Sequence, residues 1–163
     1  MRQQARNPGM TLDQEAMVLA IAYVESGFNP DAAAGITGAK GLGQFIRKTG
    51  ASCGLTDSSR WDTQEQARAT VQHTLDNYKA ARDAGLGDEY VYARHHDGSF
   101  TNACAGVDLA RASVVPKSLK CRDALTELTP DFPRGNFCHD SAVQRCLSLS
   151  KQERNKLGLN FYL

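Results

Sequence analysis

The sequence predicts an all-α domain, and three features of it do so. Capping-box patterns recur along the chain, at Thr11 with Gln14, Asp62 with Glu65 and Ser150 with Glu153. Apolar residues after these caps keep helical spacing, and no stretch alternates as a strand would. No internal repeat or low-complexity segment interrupts the pattern.

Thr11 opens the first helix, expected over about residues 12 to 26. The apolar run Ala16 to Val24 follows the cap, Gly27 offers the left-handed residue of a helix end, and Pro30 stops the helix resuming. A second helix is expected from near Leu42 to Gly50, with Gln44 on its first turn. The third starts at Asp62 and keeps Ala67, Val71, Thr74, Leu75 and Tyr78 at helical spacing up to Gly85. It reads as scaffold, with His73 on its surface. Asp88 is placed to cap a fourth helix, EYVYARHH, ending at Gly98, and Asn102 a fifth that runs to about Arg111.

From Ser113 the pattern loosens. A short helix is expected around Leu119 to Leu128, then an irregular stretch with Pro130 and Pro133 up to Cys138. A helix at about 140 to 149 and a last short one from Ser150 to Gly158 complete the chain. All of 1–163 is read as one domain, with a core at about 10–112 and a helical C-terminal extension, 113–163, packing on it.

With 41% hydrophobic and 23% charged residues, the composition is that of ordinary globular protein. A formal charge of +1 gives no reason to expect nucleic acid or an acidic membrane as partner. The longest apolar run is too short for a bilayer, so no membrane insertion is expected. No signal peptide is visible in MRQQARNPGMTLDQ, which implies another export route, or a leader or neighbouring domain outside this sequence. Five cysteines (53, 104, 121, 138 and 146) are compatible with one or two disulfides and an unpaired thiol. Cys121, Cys138, His139 and Cys146 are potential zinc ligands but include no Cys-x-x-Cys pair. His95 and His96, adjacent on a helix, point about 100° apart and seldom reach one ion. Neither a metal nor a cofactor is expected.

The chemical signal is Glu25. Val18, Ile21 and Ala22 lie seven, four and three residues before it, so this acid continues the apolar stripe of the first helix. A carboxyl withdrawn from water holds its proton to higher pH and can serve as a general acid. A glutamate at a helix end that simply reaches solvent or a cation is the ordinary alternative. The following loop, Asn29 to Gly43, carries Gly35, Gly38, Gly41 and Gly43, suited to close backbone approach, and lacks the Gly-Lys-Ser/Thr of a phosphate loop. Gln44 has an amide able to hydrogen-bond a sugar N-acetyl or hydroxyl group, the ordinary alternative being a residue that caps the helix or faces solvent. Tyr92, His95, His96 and Asp97 concentrate rings and polar groups on one short helix.

Glu25-Ser26, Phe28-Asn29-Pro30, Gly38-Ala39 and Gly41-Leu42-Gly43-Gln44 together resemble the lysozyme-like catalytic domain of soluble lytic transglycosylases, including those carried by phages. The resemblance covers about residues 10 to 100. Arg94-His95-His96-Asp97-Gly98 is the counterpart of that family's Ala-Tyr-Asn-Ala-Gly element, with His95 at the Tyr and His96 at the Asn. Gly43 stands where the family has Met, which removes a bulky side chain from the expected sugar-facing wall. In place of the family's small loop hydroxyl stand Ala34 and Gly35, with Ser26 and Thr37 the nearby hydroxyls.

The resemblance implies a compact lysozyme-like helical domain that cleaves the MurNAc-β-1,4-GlcNAc bond of peptidoglycan glycan strands without water. Glu25 would be the single general acid and base, forming a 1,6-anhydro product, with Ser26, Gln44, Tyr92, His95, His96 and Asp97 around the substrate. It further implies action on the cell wall, periplasmic or virion-associated, by a monomer or one domain of a larger assembly. The rivals are a goose-type muramidase, with Asp31 or Asp97 as second acid roughly 6.5–9.5 Å from the first, and a non-catalytic glycan-binding or structural domain.

Overall fold

The computed structural model describes residues 10–101 and 103–128. The first helix, α1, spans Leu12–Ser26 and closes as the sequence predicts. Thr11 Oγ1 accepts the Gln14 N–H at 3.3 Å, the Gln14 side chain accepts the Thr11 N–H at 2.9 Å, and Gly27 takes the left-handed conformation. What the apolar stripe did not announce is that α1 is wrapped on every side: Glu15 through Ala22 are all buried. A helix apolar all round belongs at the centre of its domain.

The remaining helices supply the wrapping. They are α2 Arg47–Ser52, α3 Thr63–Asp83, α4 Glu89–Asp97, α5 Cys104–Leu109 and α6 Val115–Leu128, with a π-helical turn, Ala110–Val114, between the last two. Met17, Ala20 and Ile21 pack with Ala81 of α3, Val91 and Tyr92 of α4, and Ala110 and Val114 of the π turn. Val18 meets Leu42, Ala67 and Val71 on another side. Ala16 and Leu19 meet Cys121 and Leu125 of α6 on a third. Burying side chains of this size stabilises a fold by roughly 1.5–3 kcal/mol each. Among the described residues there is no strand, only isolated bridges from Lys40 to Ala33 and Phe45.

Asp62 caps α3 by accepting the Gln64 and Glu65 N–H groups, whereas Glu65 turns to Arg68 and does not complete a capping box. Asp88 occupies the position before α4 without a side-chain capping bond, and Gly98 closes that helix in the left-handed conformation. The expected second helix is displaced: residues 41–44 form a turn, Phe45 bridges back to Lys40, Ile46 is extended, and α2 begins only at Arg47. Lys40 and Phe45 exchange backbone hydrogen bonds at 3.2 and 3.1 Å. Gly41 and Gln44 have φ of +76° and +46°, which no helix can pass through. Gly41 also sits tight against α3, since a Cβ there would lie 2.5 Å from Gln66 Oε1.

The expected break after Arg111 is absent. Helical structure continues from Cys104 to Leu128, so α6 begins well before Leu119. Pro116 lacks an N–H for the ladder, and the wider π turn just ahead of it, closed by Val115 N–H to Ala110 C=O, accommodates the missing donor. Cys53, Cys104 and Cys121 are free thiols. Cys121, a candidate zinc ligand, is buried in the core, and burial pushes its thiol up to about 11. Asn102, Pro130, Pro133, Cys138, His139, Cys146 and the helices expected at 140–149 and after Ser150 lie outside the described residues.

Candidate active site

Glu25 stands on the last turn of α1 with its side chain 17% exposed. The Tyr92 hydroxyl, from α4, donates to Glu25 Oε1 at 2.8 Å. His95 Nε2, one turn further along α4, is 3.7 Å from the same oxygen, alongside it without a hydrogen bond. Burial raises the Glu25 pKa above its ordinary value, while the Tyr92 hydrogen bond and the nearby His96 pull the other way. The net result is an acid that keeps its proton to higher pH than an exposed glutamate, as its place on the apolar stripe predicts.

Behind the acid the rings are packed. The His95 side chain is 5% exposed. It stacks on Tyr92, with centroids 5.9 Å apart and planes at 19°, and its other neighbours are Phe45 at 5.5 Å and His73 at 5.2 Å. Burial, reinforced by His73, brings the His95 pKa down to about 3, so the imidazole is neutral at physiological pH. His73 is therefore not the surface residue expected. It is half buried, its Nδ1 is 3.7 Å from Cys53 Sγ, and burial lowers its pKa as well.

The other expected residues divide. His96 keeps its ring 5.9 Å from Tyr92 and its Nδ1 2.8 Å from Asp97 Oδ1. Asp97 Oδ2 accepts the Gly106 N–H at 3.0 Å and so ties α4 to α5, while its Oδ1 stays with the neighbouring His96, leaving both oxygens of this carboxylate engaged. The Ser26 hydroxyl is 2.9 Å from Ala22 C=O and 3.0 Å from Leu42 C=O, tying the end of α1 to the glycine-rich loop. Gln44 Nε2 donates to Ala32 C=O at 3.1 Å and Gly41 C=O at 2.9 Å, leaving its Oε1 as the group it can offer a ligand. Gly43 does not thin a sugar-facing wall. A Cβ there would meet the Phe45 ring and Thr70 Oγ1 at 2.9 Å, so the absent side chain is missing from the interior.

Gln66 is the organising residue that the sequence reading passed over. Its Oε1 accepts the Leu42 N–H at 3.0 Å, and its Nε2 donates to Pro30 C=O at 3.0 Å and Arg60 C=O at 2.8 Å. One buried amide thus ties three separated pieces of loop to α3. The signal was available: Gln66, Thr70, His73 and Asn77 form a polar row at helical spacing beside the apolar one. Asn77 uses its place in that row to reach α4, donating to Val91 C=O and accepting from Arg94.

Residues 6–83 match the family model of the transglycosylase SLT domain. No curated protein and no solved structure matches the chain. The matched stretch contains Glu25, Ser26, Gln44 and Gln66 and ends with α3, so Tyr92, His95 and His96 come from beyond it. Domains of this family act on the peptidoglycan of the cell wall. Over residues 6–83 the chain is therefore similar to the lytic transglycosylase family, and the helical architecture of its described residues is consistent with an all-α, lysozyme-like domain.

Proposed function

We propose that this protein cleaves the MurNAc-β-1,4-GlcNAc bond of peptidoglycan as a lytic transglycosylase, with Glu25 acting first as acid and then as base. The observation that carries the reading is a partly buried carboxyl whose proton is retained by burial and whose Oε1 is gripped by the Tyr92 hydroxyl. Protonated Glu25 donates to the glycosidic oxygen as the bond to the anomeric carbon breaks. Its carboxylate then takes the proton of the muramic acid 6-hydroxyl as that oxygen closes on the anomeric carbon, and a 1,6-anhydro end results. No water is consumed, and Glu25 finishes protonated, as it began. The substrate's N-acetyl carbonyl can stabilise the developing positive charge, which removes the need for a second carboxylate.

The surroundings suit both halves of this cycle. Tyr92 O–H stabilises the carboxylate formed after the first transfer. His95, neutral and buried, puts no positive charge beside Glu25 that would strip its proton beforehand. Gln44 Oε1 accepts from a sugar hydroxyl or N-acetyl N–H, and His96 lines the same end of α4. Asp97, with both oxygens committed, is poorly placed to activate a water. Among the described residues no helix is long and apolar enough to cross a membrane. Glycan strands are the proposed partner and the cell wall the site of action.

Mass analysis of fragments released from purified peptidoglycan tests the reaction. Products ending in 1,6-anhydro-muramic acid, one water lighter than hydrolytic fragments, are expected, and reducing ends would replace this reading with a muramidase. Tyr92→Phe tests the grip on the acid. Removing the hydrogen bond leaves the carboxylate less stabilised, so the Glu25 pKa rises further and the alkaline limb of the rate profile moves to higher pH. A shift of up to about one unit is expected, the size of a hydrogen bond to a charged group. An unmoved limb accompanied by a slower rate would assign Tyr92 to packing alone.

A further inference from the structure

Trp61 is the chain's only tryptophan, and it is 48% exposed at the turn leading into α3. The Lys40 Nζ lies over its ring, 4.6 Å from the centroid. Neither residue takes part in the chemistry above, yet both are rigidly joined to the glycine-rich loop that carries Gln44. Lys40 pairs through its backbone with Phe45. Arg60, next to Trp61, donates to Phe45 C=O at 3.0 Å, and its own carbonyl is held by Gln66.

The acids nearby in sequence are committed elsewhere. Asp62 caps α3 and Asp57 is paired with Arg47. Among the described residues no carboxylate forms an ion pair with Lys40. The face thus combines a half-open indole with an ammonium that none of the described acids neutralises. A ligand fitting it needs a flat apolar surface for the ring and a negative charge for the lysine.

We propose that Trp61 and Lys40 form an accessory subsite for the peptidoglycan glycan strand, separate from the group around Glu25. A strand supplies both features: pyranose rings with C–H faces that stack on indole, and carboxylates on the lactyl and peptide substituents of muramic acid. Stacking holds a sugar ring on Trp61 while Lys40 meets a carboxylate. The proposal rests on peptidoglycan being the substrate, and it makes capture of the polymer distinct from cleavage.

The test uses Glu25→Gln protein, so that the ligand survives, and reads the single tryptophan directly. Soluble glycan strands prepared from peptidoglycan should shift or quench its emission in a saturable way. Pelleting with intact sacculi should show binding about tenfold weaker for Trp61→Ala and Lys40→Ala, with Trp61→Phe and Lys40→Arg close to the parent. Salt well above 0.1 M, where the Debye length falls below about 10 Å, should reduce the parent to the Lys40→Ala level and leave the Trp61 contribution. In the active protein, Trp61→Ala should raise KM for sacculi with kcat unchanged. An emission that glycan leaves unchanged, or sacculus binding equal across the variants, would overturn the subsite. Residual cleavage by Glu25→Gln would instead count against the catalytic assignment and leave the binding result readable.

Discussion

Glu25→Gln is expected to lower glycan cleavage by at least ~10²–10⁴-fold, the range a positioned general acid contributes, while the protein stays folded. The amide keeps an oxygen for the Tyr92 O–H to donate to, so the packing of α1 against α4 survives. Its stability should also move in a diagnostic direction. Glu25 has a folded-state pKa above its ordinary value of 4.5 because burial disfavours the carboxylate. The stability due to this group is fully present below the unfolded pKa and is lost as pH rises through the folded one. Glutamine cannot ionise, so at neutral pH the variant should melt at or above the parent temperature, and the two should converge in acid. A variant that keeps full activity would remove Glu25 from the mechanism, and one that melts far lower would mean the carboxyl is structural.

Gln66→Leu should be the most damaging substitution outside the acid's own surroundings. It fills a similar volume but leaves the Leu42 N–H and the Pro30 and Arg60 carbonyls without their partner. Each buried group so orphaned costs ~1–3 kcal/mol, so a loss of about 3 kcal/mol or more is expected. For a chain of this size that lowers Tm by roughly 10 °C. Activity should fall as well, because Gln44 and Leu42 belong to the loop that Gln66 secures. Calorimetry on Gln66→Leu decides the point: a Tm within two or three degrees of the parent would show that the loop holds itself.

What could be read in advance from the sequence follows from how local each determinant is. Helices α1 and α3 and the end of α4 were legible because Thr11, Asp62, Gly27 and Gly98 act within a turn of where they stand. The start of α2 was not, because the turn before it has Gln44 at a positive φ, which its residue type does not favour and which accompanies side-chain hydrogen bonds to Gly41 in the same turn and to Ala32 across the loop. The length of α6 was hidden by Pro116, whose usual effect on a helix is absorbed by a π turn that no sequence period announces. At the site, Glu25 was legible from its place on the apolar stripe. The environment that tunes it was only half so: Tyr92, His95 and His96 lay in one dense segment, whereas Phe45 and His73 join it solely through the tertiary fold.

The wrapping of α1 has a consequence for what counts as a unit. The family signature ends at residue 83, yet Tyr92 on α4 supplies the hydroxyl on Glu25, and Cys121 and Leu125 on α6 roof Ala16 and Leu19. Cut at the signature's edge, the chain would retain the acid and lose the surfaces that keep it dry. The stretch that resembles the family is therefore shorter than the set of helices packed around α1 and its acid.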